Sequence, residues 1–332
     1  MGGSVTRQGL GSALPTLVLL LGLFWWRHLA VPLPVELPAA EAMPVGELLD
    51  GFARRHRVWG EALALLAVAL NAALITRLTI RYMIAGVRTL LPMIFYAAVA
   101  CGIFLPSPPL GACAASTLLT LSTVLFAASF RREYSFDTIF RASLCLGLLP
   151  FVYAPAMPLL ALLPAAMLLY RRSAREWLVA MCGVSVAAGG VLLGVWFGGG
   201  NAARVLQCLG RALCLSPGNF ALKPDPGEVV TIAAMGIFTV IVLLAVVSFA
   251  GAVRGMRAKP YKISLFLIVQ GILCLLTLCA PGNGAMFCLL FAVPCSAVIP
   301  NLFIRYDGTA ASLLYILFIL SLLLRNILLF VR

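Results

Sequence analysis

VVTIAAMGIFTVIVLLAVVSFAGAV, residues 229–253, runs for 25 residues without one Asp, Glu, Lys, Arg or His. An α-helix rises 1.5 Å per residue, so about 20 apolar residues cross the roughly 30 Å of hydrocarbon in a bilayer. The run lacks the alternating polarity of a barrel strand and reads as a helix whose solvent is lipid. Its flank agrees, because Arg254, Arg257, Lys259 and Lys262 follow at once. Cationic residues gather in this way where a span emerges on the cytoplasmic side.

Outward from this run the pattern repeats. Downstream lie 263–280, 285–304 and 309–331. Upstream lie 58–76, 89–105, 109–130, 142–153, 155–170 and 177–197, preceded by a first run from Ala13 to Trp26. The 332-residue chain is 63% apolar and 11% charged, with mean hydropathy +1.07, against about 25% charged for a soluble domain. The expected fold is all-α, a polytopic transmembrane helical bundle of about 11 spans. It forms a single integral membrane domain over 1–332, with long outer loops at 27–57 and 198–228.

The net charge of +13 does not imply a nucleic-acid partner, since the cations sit in small clusters between apolar runs and not along one solvated face. Topology explains them. With the amino terminus inside, the inner connections carry Arg7; Arg77, Arg81 and Arg88; Arg131, Arg132 and Arg141; Arg171, Arg172 and Arg175; the 254–262 cluster; and Arg305. The short outer turns, Pro106 to Pro108, Ala154, and Pro281 to Gly284, carry none. This asymmetry places the chain in a bacterial inner membrane, amino terminus cytoplasmic and carboxyl terminus periplasmic. The first run reads as a retained anchor and not a signal peptide, because the nearest small-residue cleavage pattern, Ala40 and Ala42, lies far beyond it. Trp25 and Trp26 then mark its outer interface.

Runs 142–153 and 155–170 are short and carry Pro150, Pro155, Pro158 and Pro164. They form a tight hairpin, either a pair buried among neighbours or a re-entrant pair lining a cavity. The outer segments bring structure of their own. Val45, Leu48, Leu49 and Phe52 fall at i, i+3, i+4 and i+7, with Glu47 and Asp50 on the polar side and Arg54, Arg55 and Arg57 at the far end. That is an amphipathic helix for the outer leaflet, its acids and bases matching the helix dipole. Asn201 can cap a second, with Val205, Leu206, Leu209, Ala212 and Leu213 on one stripe, ended by Ser216-Pro217-Gly218.

Ten cysteines without a CxxC, and only His28 and His56 as histidines, assemble no zinc or iron set and call for no cofactor. Cys208 and Cys214 face the oxidising side in this topology, but six residues on one helix turn them roughly 240° apart, against a bridge. Within the spans, Glu61 is placed to snorkel or to pair with Arg57, and Asn71 to bond between helices. Ser116, Thr120 and Thr123 share a face that either lines a polar path or bonds to neighbouring helices. Gly190, Gly194 and Gly198, at every fourth residue, predict close helix packing.

The acids facing outward are Glu36, Glu41, Glu47 and Asp50. A solvated face explains them; the chemical reading is an acid–base site in which Glu47 or Asp50 is the base and Arg54, Arg55 and Arg57 hold a lipid phosphate or pyrophosphate.

At NAALITRLTIRYMIAGVRTLLPMIFY (71–96), and again from Phe136-Asp137 through Gly147, Tyr153 and Pro155 to Arg175-Glu176-Trp177, the chain resembles a family of uncharacterised bacterial polytopic membrane proteins defined as a domain of unknown function. The resemblance covers roughly 60–190 and implies a membrane fold without a mechanism. A looser similarity is to membrane-embedded glycosyltransferases that use lipid-linked sugars. Those place a catalytic acid in the first outer loop, where Glu47 and Asp50 lie, but as a closely spaced pair that this chain lacks. The leading expectation is a protein that handles a lipid or lipid-linked glycan in envelope assembly, with membrane lipids as partners. A small-molecule or lipid transporter with its cavity beside the hairpin, and a scaffold for partner proteins, are the alternatives.

Overall fold

The computed structural model describes residues 43–102, 110–130, 135–216, 229–252, 258–281, 287–306 and 309–331, besides three isolated positions before residue 43. The rest of the first run with Trp25 and Trp26, Glu36 and Glu41, Arg131 and Arg132, Arg254 and Arg257, and the turns at 106–108 and 282–284 lie outside them.

Among the described residues every regular element is helical. In chain order they are α1 (Pro44–Arg55), α2 (Arg57–Tyr82), α3 (Leu91–Gly102), α4 (Leu110–Ser129), α5 (Phe136–Val152), a 3-10 segment (Ala154–Ala161) continued by α6 (Leu162–Leu169), and α7 (Ala174–Phe197). There follow α8 (Ala202–Ala212), α9 (Val229–Ala252), α10 (Ala258–Thr277), α11 (Phe287–Val298), α12 (Pro300–Arg305) and α13 (Thr309–Val331).

Six stretches are long and apolar enough to cross a membrane: α2, α4, α7, Ile232–Gly251 of α9, α10, and α11 with α12. Shorter apolar stretches fill Leu91–Cys101, Ala154–Leu169 and Ala311–Leu322. The expected count of about 11 spans is not reached among the described residues, where six stretches have the length and composition of a full crossing. The hairpin shows why the count differs. α5 has 17 residues with Pro150 inside it, and its second limb opens as a 3-10 segment beginning at Ala154-Pro155. Proline removes a backbone donor and forbids a regular continuation. Ala154, Pro155, Ala156, Pro158 and Leu159 are all buried, as irregular backbone at membrane depth requires.

α4 and α11 form the centre. α4 packs on α1, α2, α5 and α11, while α11 packs on α3, α10, α4 and α2. Every residue of α11 is buried, whereas α7 turns Leu178, Val186, Leu193 and Trp196 outward. α5 and α7 make the most extensive helix pair. The glycines responsible are Gly147 and Gly183: a Cβ on Gly183 would collide with Ser143 Oγ and lie 2.8 Å from Phe140 O, and one on Gly147 would lie 3.0 Å from the Val184 backbone. This corrects the expectation for Gly190 and Gly194, which face open space among the described residues, and for Gly198, whose Cβ would meet only its own helix. Four-residue spacing marks a stripe but not what covers it.

Arg172, Lys259, Lys262 and Arg305 collect at one end. Arg172 reaches Ser129 at the end of α4, and Arg305 Nη1 donates to Ser248 O at 2.8 Å, satisfying a carbonyl near the end of α9. Lys259 lies 5.1 Å over the Tyr82 ring and Lys262 5.4 Å over Phe130, positions that favour a cation over an aromatic face. α1 sits at the opposite end.

Candidate functional site

α1 is a short helix with Pro44 at its start, Glu47 in its first turn and Arg54 and Arg55 in its last. Its expected apolar stripe is only half correct. Val45 and Leu49 pack toward the core, but Leu48 and Phe52 are exposed, and the buried positions are Met43, Gly46 and Asp50. Glu47 is exposed. The two acids placed on one polar side by sequence thus part company, Glu47 outward and Asp50 inward.

Two contacts fix that roll. A Cβ on Gly46 would collide with Val152 O, so glycine lets α1 sit directly on the last turn of α5. Asp50 Oδ1 accepts the Gly111 N–H at 2.8 Å. Gly111 lies in the first turn of α4, where N–H groups have no partner within the helix and the dipole favours an anion. Asp50 is an N-terminal cap delivered from another helix. Burial pushes its carboxyl above the usual aspartate range, and the Gly111 hydrogen bond and the Arg54 charge pull back against it.

Arg54, Arg55 and Arg57 stand exposed around the α1–α2 corner, beside exposed Phe52, Val58 and Trp59. Arg54 Nε donates to the Asp50 backbone carbonyl at 3.4 Å. Glu61, on the first turns of α2, is half-buried.

Below Asp50 a polar seam follows α4. Asn71 Nδ2 donates to Tyr96 OH and to Thr117 Oγ1, each at 3.1 Å. Tyr96 OH lies 2.8 Å from Ser116 Oγ, which donates to Leu289 O at 2.9 Å. Thr123 Oγ1 donates to Leu119 O at 2.8 Å and lies 3.1 Å from the Gln270 side-chain amide. The face shared by Ser116, Thr120 and Thr123 is buried throughout, and two of its three members bond to neighbouring helices, while Thr120 bonds back to Ser116 O. At the far end Arg172 Nη1 meets Glu176 Oε1 at 3.0 Å, with both side chains buried. Glu176 also closes a capping box with Ser173 at the start of α7.

Sequence reasoning missed Tyr96, Gln270 and the Arg172–Glu176 pair. Two of these had a signal. Ser173 and Glu176 stand at capping-box spacing, and Gln270 is the lone amide in an apolar run. Tyr96 had none, since an aromatic beside other aromatics looks like core.

On α8, Asn201 Oδ1 accepts from Ala203 N at 3.0 Å and Arg204 N at 3.3 Å, the expected cap, with Leu209 and Ala212 facing in. Cys208 and Cys214 are free thiols; Cys208 packs inward while Cys214 is exposed. α8 and the start of α1 share a small core with the hairpin tip, through Met43, Phe151, Ala154, Leu209 and Ala212. Among the described residues no three His, Cys, Asp or Glu side chains gather as a metal site.

Comparison of the chain with protein-family models, with curated proteins and with solved structures returned no match.

Proposed function

We propose that this chain is a multi-pass protein of a bacterial inner membrane, amino terminus cytoplasmic and carboxyl terminus periplasmic, that handles a lipid or lipid-linked glycan in envelope assembly through its phosphate at the outer face. The observation that carries the reading is the pairing of a buried carboxyl on one short helix with an exposed cationic run at that helix's end and the corner after it. Arg54, Arg55 and Arg57 present guanidinium forks suited to phosphate oxygens. Exposed Leu48, Phe52, Val58 and Trp59 suit the acyl or polyprenyl part of a lipid. Asp50, raised by burial, is tuned in the direction a general base needs near neutral pH.

As a glycosyl transferase the site would work as follows. An acceptor hydroxyl attacks the sugar carbon of a lipid-linked donor, its proton passes to Asp50, and the carbon–oxygen bond to phosphate breaks. The lipid phosphate leaves under Arg54, Arg55 and Arg57. Glu47, exposed on the same helix, is the other acid at this face.

The test separates binding from turnover. Native mass spectrometry in mild detergent should show a co-purifying phosphorylated lipid on the wild type and on Asp50→Asn, and lose it on the triple Arg54→Gln, Arg55→Gln, Arg57→Gln variant. Cells carrying Asp50→Asn with Glu47→Gln at normal expression should change their glycolipid profile. No phosphorylated lipid on wild type, together with an unchanged profile, would dispose of the proposal.

A further inference from the structure

The hydrogen bonds of the α4 seam run in directions that can be assigned, because each chain ends on a backbone carbonyl, which only accepts. Ser116 gives its proton to Leu289 O, so it accepts from Tyr96, and Tyr96 in turn accepts from Asn71. Thr117 gives its proton to Cys113 O and likewise accepts from Asn71. Both amide hydrogens of Asn71 are then used, and Asn71 Oδ1 is left without a donor among the described residues. Thr123 spends its proton on Leu119 O. That one proton cannot also serve Gln270, whose Oε1 stands 3.1 Å away while its Nε2 has no partner; turning the amide over lets its N–H donate to Thr123 and leaves the amide oxygen as the unpartnered atom.

Asn71 is 1% exposed and Gln270 fully buried. A buried amide oxygen without a donor keeps the full cost of its desolvation, and two of them beside one helix are not explained by interhelical bonding. With the Gln270 amide so turned, both unpartnered atoms are acceptors. The geometry points to a two-station site along α4 for a hydrogen-bond donor the size of water, either water itself or ammonium, at Asn71 Oδ1 and at the Gln270 amide oxygen. This site goes beyond the Asp50 surface and does not depend on it.

X-ray radiolysis makes hydroxyl radicals from water, including water held inside a protein, so it reads the two stations in the folded wild type. Tyr96 should be modified faster than Phe95 and Phe318, which are fully buried and stack 6.1 Å apart in an apolar cluster. Cys274, one turn from Gln270, should be modified faster than Cys295. Asn71→Leu should abolish the Tyr96 modification, and Gln270→Leu that of Cys274. Slower modification in ammonium chloride assigns the station to ammonium, and no change assigns it to water; both agree with the site. Tyr96 as inert as Phe318 in the wild type overturns the proposal without any variant having to fold, and so does Tyr96 labelling that persists in Asn71→Leu.

Discussion

α7 and the α11–α12 segment have nearly the same mean hydropathy, 2.2 and 2.1, yet 17% of the first span is buried inside the protein and 94% of the second. Lipid and protein interior are equally apolar, so burial by composition cannot tell one solvent from the other. What differs is texture. α11 interleaves Pro294, Cys295, Ser296 and Ala297 with Phe287 and Phe291, whose rings stack 4.9 Å apart. α7 spends its large side chains outward and meets α5 through glycine and alanine. One helix is held by shape on all sides, the other by a seam and its first turn.

The harshest way to break this comparison is to truncate one large side chain on each helix. Phe291→Ala should cost about 3–5 kcal/mol, as buried aromatic truncations do, whereas Leu193→Ala, 55% exposed, should stay within about 0.5 kcal/mol. Unfolding by titrated denaturing detergent measures both; equal losses would erase the distinction between the helices.

Next in size is the anchor of α7. Arg172→Met leaves Glu176 buried without its cation and should cost about 3 kcal/mol, with the Arg172→Met, Glu176→Gln double variant recovering part of it. A double variant as unstable as the sum of the two single ones would mean that the pair does not act as a unit.

The seam with α5 is tested within one helix. Gly183→Ala should destabilise by about 1–3 kcal/mol through overpacking, while Gly190→Ala, facing open space, should be neutral or slightly favourable through helix propensity. Thermal aggregation midpoints in detergent give the order, and the reverse order would place the α5–α7 contact at the wrong turn.

The smallest effect is a pH slope at α1. A carboxyl raised above its ordinary 3.8 holds its proton more tightly in the folded chain. Its contribution is therefore greatest when it is protonated, and falls as pH rises from 3.8 through the raised value. Asp50→Asn should flatten that fall in a stability-versus-pH series. An unchanged slope would assign the titration to another group.

Much of the fold was legible because lipid leaves a one-dimensional mark. Runs 58–76, 109–130 and 177–197 correspond to α2, α4 and α7, and the Asn201 cap was readable from one side chain. The site was less legible. An amphipathic stripe predicts which face is apolar, but on α1 the buried face was set by a glycine sitting on Val152 and by the unpaired N–H groups of another helix. Neither is visible in residues 43–57. For the same reason Gly190 and Gly194 looked like contact glycines and Gly183 did not.

The account rests on lipid surrounding the outward face of α7 while protein surrounds α11. A membrane-soluble carbene reagent, activated by light in vesicles holding the purified protein and read by peptide mass spectrometry, asks this directly. Modification should concentrate on Leu178, Val186 and Leu193 and spare residues 289–297. Labelling spread evenly over both helices, or absent from α7, would contradict it.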